Sequence, residues 1–268
     1  MANGIKKLPS LSNVSPGARA TLECPVGPTY KRLHIVASGT GLTAAHIGKI
    51  EVRVNGKTIQ DFKDLQRLID INGYYGRPAD SATGWTIHLD RPEASDLVYK
   101  RLTGIGTADV QTMDVLIDID SAAPSDIALE AYAEVSEPMP LGPFVGIRTF
   151  PFSSAVAGEV EIDKIPRGPR IMAIHCFKGD VNAVVVEADG FKIVDAKKAV
   201  LEAMQKGAVP RARVPMSAKA TTVDFMLEGD FAQTLVTGPL KDFRVRTDLG
   251  TSGAMDVVVE YLRDFQVG

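Results

Sequence analysis

"PVGPTYKRLHIV" (Pro25–Val36) returns as "PRGPRIMAIHCF" (Pro166–Phe177), with Pro25, Gly27, Pro28 and His34 each matched 141 residues later. Pro-x-Gly-Pro fixes φ at two prolines and lets the glycine take a positive φ, so each copy is a turn that delivers the chain into a strand. The repeat extends. "VRVNGKTIQDFKDLQRLIDING" (Val52–Gly73) resembles "VVEADGFKIVDAKKAVLEAMQKG" (Val185–Gly207), now at an offset of 134. Asn55-Gly56 and Asp189-Gly190, between β-branched runs, predict two-residue hairpins of the primed type. Asp61 and Asp195 are expected to cap helices that stop at Gly73 and Gly207. Phe62, Leu65, Leu68 and Ile69 form the expected apolar face of the first helix. Ala196, Ala199, Val200, Ala203 and Met204 form that of the second.

The remainder of each half reads as short strands, with "LEAY" and "VVEYL" as plausible equivalents near the two ends. In "MDVLIDID", Val115, Ile117 and Ile119 point one way and Asp114, Leu116, Asp118 and Asp120 the other. "SEPMPLGP" (Ser136–Pro143) has the composition of a linker. The chain is therefore expected to be all-β: two tandem sandwich or jelly-roll domains, residues 1–140 and 141–268, each with one short inserted helix.

The bulk numbers exclude several classes. A net charge of −3 over 268 residues argues against a surface devoted to nucleic-acid phosphate. No apolar run is long enough for a membrane helix, and "MANGIKKLPSLSNV" lacks the apolar stretch of a secretory signal. Its Gly4, Pro9 and Asn13 predict a tail rather than a strand; "NVS" at Asn13 is a glycosylation sequon without that signal. Cys24 and Cys176, far apart, are expected to be free buried thiols in a reducing compartment.

Catalytic signatures are missing. His34, His46, His88 and His175 never cluster as metal ligands do, and the first and last occupy matching strand positions, which favours a structural role. "SGTGLTAAHIG" (Ser38–Gly48) contains G-x-G-x-x-A, but too little chain follows for a pyrophosphate-binding helix, so it is expected to be a surface loop. "GTSGA" (Gly250–Ala254) is no nucleophile elbow. Asp114, Asp118 and Asp120, with Asp126 nearby, are the densest acidic group. Such carboxylates could hold calcium, or form a solvated strand face opposite lysines and arginines. No catalytic or cofactor-binding residue is assigned.

"LSNVSPG", "IGTADVQTMDVLIDIDSAA", "RIMAIHCF", "TVDFMLEGDF" and "VVVEYL" together, in this order, resemble the major capsid proteins of the corticoviruses, tailless bacteriophages with a membrane beneath the shell. The resemblance loosens around "NGYYGRPADSATG" (Asn72–Gly84), where loop length differs. It implies a double jelly roll of two eight-stranded barrels, three chains forming a near-hexagonal tile of an icosahedral shell. It also implies a protein that is no enzyme, is made in the host bacterial cytoplasm and is located in the virion. Its partners would be further copies of itself, a penton or spike protein, and membrane-associated proteins or the inner lipid membrane. Association of such particles with calcium adds to the interest of the Asp114–Asp120 strand. Lys6 and Lys7 would then face an anionic lipid surface. A sugar-binding β-sandwich, such as a host-adsorption module, is the competing reading. One tryptophan, Trp85, and 6% aromatic residues give it a poor platform.

Overall fold

The computed structural model describes residues 4–264. The first half contains β1 (Gly4–Lys7), β2 (Arg19–Glu23), β3 (Thr29–Ser38), β4 (Ile47–Val54), β5 (Lys57–Phe62), α1 (Leu65–Tyr74), β6 (Gly84–His88), α2 (Leu97–Leu102), β7 (Ile105–Gly106), β8 (Met113–Ile119) and β9 (Ala128–Ser136). The second contains β10 (Phe144–Ser154), β11 (Gly158–Ile162), β12 (Arg170–Phe177), β13 (Val181–Ala188), β14 (Phe191–Lys197), α3 (Lys198–Lys206), β15 (Thr221–Asp224), β16 (Leu235–Val236), β17 (Phe243–Leu249) and β18 (Gly253–Arg263). Setting aside the two-residue β7 and β16, each half has eight strands among the described residues.

The strands correspond one to one in order, and so do their pairings. β1-β9-β3-β6 in the first half matches β10-β18-β12-β15 in the second, and β5-β4-β8-β2 matches β14-β13-β17-β11. Two facing four-stranded sheets in this order, twice over, make the double jelly roll. One pairing has no counterpart among the described residues: β10 runs parallel to β5, with Ile147 opposite Gln60, and joins the two halves into one continuous sheet. Val115, Ile117 and Ile119 are buried and Asp114, Leu116 and Asp118 are not, as their alternation requires.

The repeated turns are alike in detail. Gly27 and Gly168 have φ of 119° and 121°. Their amides donate to Thr107 Oγ1 (2.8 Å) and Thr237 Oγ1 (3.0 Å), and each hydroxyl donates on to the carbonyl of Pro28 or Pro169. Asn55-Gly56 and Asp189-Gly190 all have positive φ, as a type I′ hairpin demands. Asn55 Oδ1 accepts from Gln111 N and Thr112 N, and Asp189 Oδ1 from Lys241 N and Asp242 N. A Cβ at Gly27 or Gly168 would touch nothing within 4 Å, so a substitution meets only backbone strain. Gly27→Val and Gly168→Val should each cost about 1–3 kcal/mol in urea denaturation. Unchanged stability in both would contradict the positive φ.

The helix ends differ from expectation. Asp61 lies inside β5 and Asp195 inside β14, because both hairpin strands run further than the turn alone suggests. Asp64 caps α1, accepting from Arg67 N at 2.7 Å, and Lys197 precedes α3 without a side-chain cap. Gly73 is within α1; the left-handed residue that ends the helix is Gly76, φ 59°. Gly207 follows α3 with an ordinary negative φ. α1 buries Leu65, Leu68, Ile71 and Tyr74 rather than Ile69, and Phe62 is buried from β5. α3 buries Leu201 and Gln205, leaving Val200 and Met204 exposed. The first half also carries the additional helix α2.

The largest departure is at the start. Residues 4–7 are not a tail: they form β1, antiparallel to β9, with Lys7 paired to Glu130 at 3.1 Å and Leu8 and Leu11 buried. The β1 register against β9 places Gly4, Ile5 and Lys6 where Gly146, Ile147 and Arg148 stand against β18. "GIKKLP" (4–9) and "GIRTFP" (146–151) are thus a further piece of the repeat.

Candidate functional site

The repeat builds two equivalent histidine clasps, and the second lies where the two halves meet. His34 and His175 each bridge three strands. His34 Nδ1 meets Thr86 Oγ1 and its Nε2 meets Glu134 Oε1, both at 3.0 Å. His175 Nδ1 meets Thr222 Oγ1 at 2.9 Å and its Nε2 meets Glu260 Oε1 at 2.8 Å. The hydroxyl is directly opposite the histidine on one neighbouring strand and the carboxylate is diagonal on the other. Glu134, not the Glu130 of "LEAY", is therefore the partner of Glu260 in the repeat. Hydroxyl, imidazole and carboxylate in line resemble a catalytic triad, yet His175 and Glu260 have no exposed surface through which a substrate could reach them. The arrangement clasps three strands together.

Around the second clasp the first half inserts its own side chains. Arg91 donates to Glu260 Oε2 and, at 3.1 Å, to Glu93; Arg77 donates to Glu93 at 2.8 Å; Tyr75 Oη donates to Glu260 Oε1 at 2.8 Å. Beside it, Arg213 donates to Asp224 Oδ2 at 2.9 Å, and Tyr74 Oη reaches the same oxygen at 3.1 Å. The guanidinium carbons of Arg77, Arg91 and Arg213 lie 4.6, 5.0 and 5.3 Å from the centre of the Tyr75 ring. The stretch where the family resemblance loosens thus carries a plug, Tyr74 and Tyr75, driven into the other half, with Arg77 behind it. Desolvation opposes the charge on Glu260, but Arg91 and His175 outweigh it and hold its pKa well below the ordinary carboxylate range. Burial pushes Tyr75 well above its usual value, with Glu260 adding to the rise.

His88, in the same region, is held well below its ordinary 6.5 by burial, with Arg77 adding to the effect. The unfolded chain takes up this proton as pH falls through about 6.5, and the folded chain does not. Stability should therefore decline below that value, with a slope contribution of up to about 1.4 kcal/mol per pH unit. The depressed pKa of Glu260 acts lower: its stabilisation is intact above about 4.5 and is lost on further acidification. Urea midpoints from pH 7.5 to 5 should show a shallower slope in His88→Asn; an unchanged slope would remove His88 as the cause.

The acidic group is not gathered into a site. Asp118 forms a bidentate pair with Arg19, Asp120 accepts from Ala122 N, and Asp126 accepts from Thr40 N and Oγ1. Among the described residues no three His, Cys, Asp or Glu side chains stand as metal ligands would. Within "SGTGLTAAHIG", residues 39–46 form the loop between β3 and β4, with a three-residue 3-10 turn at Ala44–His46. Cys24 and Cys176 are free and buried, and burial pushes both thiols up to about 12. Among the described residues no helix is long and apolar enough to cross a membrane.

Comparison with known proteins fits this double build. Family descriptions of the viral coat protein P2 N-terminal domain and C-terminal domain match residues 5–136 and 145–265. The chain belongs to the viral coat protein P2 family. It is 31% identical to the major capsid protein P2 of Pseudoalteromonas phage PM2, over 95% of each chain. The crystal structure of that P2 protein superposes with a TM-score of 0.91 at 29% identity, covering 100% of this chain and 99% of the other. The crystal structure of the STIV MCP shares the fold, with a TM-score of 0.72 at 12% identity over 98% of this chain and 97% of the other. Family and fold are those of structural coat proteins, not enzymes.

Proposed function

We propose that this viral coat protein forms a homotrimeric tile of the shell through a seam that repeats, between chains, the β5–β10 seam within each chain. The carrying observation is an unequal burial of equivalent residues. Ile147 of β10 is 4% exposed and Ile59 of β5 is 3% exposed, because their strands meet. Their counterparts, Ile5 of β1 and Ile193 of β14, are 74% and 46% exposed. Phe191 of the β14 strand and Val200 and Met204 of α3 are exposed beside them. An edge strand with exposed apolar side chains is a template for another chain.

The in-chain seam specifies the register. Ile147 faces Gln60, so Ile5 of one copy would face Val194 of the next, parallel. Arg148 donates to Thr58 O at 3.0 Å, so Lys6 would donate to the carbonyl of Lys192. The contact is head to tail, and such contacts close into rings; with two barrels per chain, three chains make a six-barrel tile. Light scattering after size-exclusion chromatography should give three times 28.7 kDa; a monomer at micromolar concentration would count against the tile. The shell's penton or spike protein and its inner membrane are the further proposed partners. Residues 1–140 and 141–268 are the proposed domains.

A further inference from the structure

We propose that the cleft at one end of the β5–β10 seam is a binding site for a phosphate-bearing ligand. The proposal is independent of the tile and concerns a different part of the molecule from the exposed β1 and β14 edges. The cleft, about 860 Å³, opens where β5 and β12 begin and β18 ends. Lys57, Arg148, Arg170 and Arg263 line it, with Asp264 as the one carboxylate among the described residues and Phe144 and Phe231 among its apolar walls.

The arginines here are unlike those deeper in the seam. Arg67, Arg77, Arg91 and Arg213 each have a carboxylate within 4.0 Å. Among the described residues, Arg148, Arg170 and Arg263 have none. Arg148 spends one hydrogen bond on Thr58 O and Arg170 one on Phe231 O. Gly146 makes room for this gathering: a Cβ there would lie 2.9 Å from Arg263 Cδ. Burial and the charge of Arg148 both disfavour the charged form of Arg263. Like charges held together in a partly dry cleft destabilise it until an anion arrives.

A tetrahedral, multiply charged oxyanion suits several guanidinium forks better than a single carboxylate does. The cleft is much larger than one phosphate ion, and its apolar walls can hold an organic remainder. A free phosphate ester and a phospholipid headgroup share this chemistry.

The test titrates the full chain with inorganic phosphate against chloride at constant ionic strength, by calorimetry. Saturable binding is expected, weakened at least tenfold in Arg148→Gln and in Arg263→Gln. Without phosphate at low salt, Arg263→Gln should melt no lower than the parent chain, so that a simple folding defect is distinguished from a lost ligand contact. Flotation with phosphatidylglycerol vesicles but not phosphatidylcholine vesicles, lost in both variants, would assign the headgroup; phosphate binding without flotation would assign a free phosphate. No saturable phosphate binding, equal binding by both variants, or acetate binding as tightly as phosphate would overturn the proposal.

Discussion

Replacing Ile5 and Ile193 by aspartate is expected to release the chain as a 28.7 kDa monomer that is still folded. Both side chains are exposed in the single chain, so the substitutions should alter its own stability by no more than about 0.5 kcal/mol. Between chains they would put two carboxylates into an apolar seam and against each other, where desolvation and like-charge repulsion act together. The control is the same change at the equivalent in-chain positions. Ile59→Asp and Ile147→Asp would bury a charge in an existing seam and should unfold the protein. A double variant, Ile5→Asp with Ile193→Asp, that still elutes as a trimer would show that these edges are not the contact.

The second large effect lies in the buried network. Glu260→Gln should cost about 3–5 kcal/mol, because it leaves Arg91 buried with half of its compensation. Arg91→Met should cost a similar amount for the converse reason. In combination the two should cost clearly less than their sum, since each removes the same pair. Urea denaturation of the four species measures this. Single costs below about 1 kcal/mol would mean that water reaches Glu260 and that the network is not the tie between the halves.

Much of the fold was legible because turns carry it. Pro-x-Gly-Pro, Asn-Gly and Asp-Gly are read by local backbone geometry alone, and local geometry is what a sequence displays most directly. Helix caps were harder: a carboxylate three residues upstream of another, as in Asp61 and Asp64, is equally suited to capping, and the choice depends on how far the preceding strand pairs. The strand at the start was concealed by its glycine and proline, although "GIKKLP" against "GIRTFP" is a legible signal. Close packing accounts for only one of the paired glycines: a Cβ at Gly146 would lie 2.9 Å from Arg263 Cδ, whereas one at Gly4 would meet only Val135 Cγ2 at 3.7 Å. The network escaped for a related reason. Tyr75, Arg91 and Glu260 stand in three separate segments: "VVVEYL" around Glu260 is plainly a core strand, but the polar stretches that hold Tyr75 and Arg91 give no hint of burial, and only the fold brings the three together.

The single parallel contact between β5 and β10 also bears on how assembly begins. Because both strands belong to one chain, this seam closes intramolecularly, at an effective concentration of order millimolar whatever the dilution. Six separate barrels would need every such contact to form by collision, each against the translational entropy of a free partner. Fusing the barrels in pairs makes half of those encounters unimolecular. In the proposed tile, the protein would therefore reach its first inter-chain collision with one seam of every pair already closed and its register fixed.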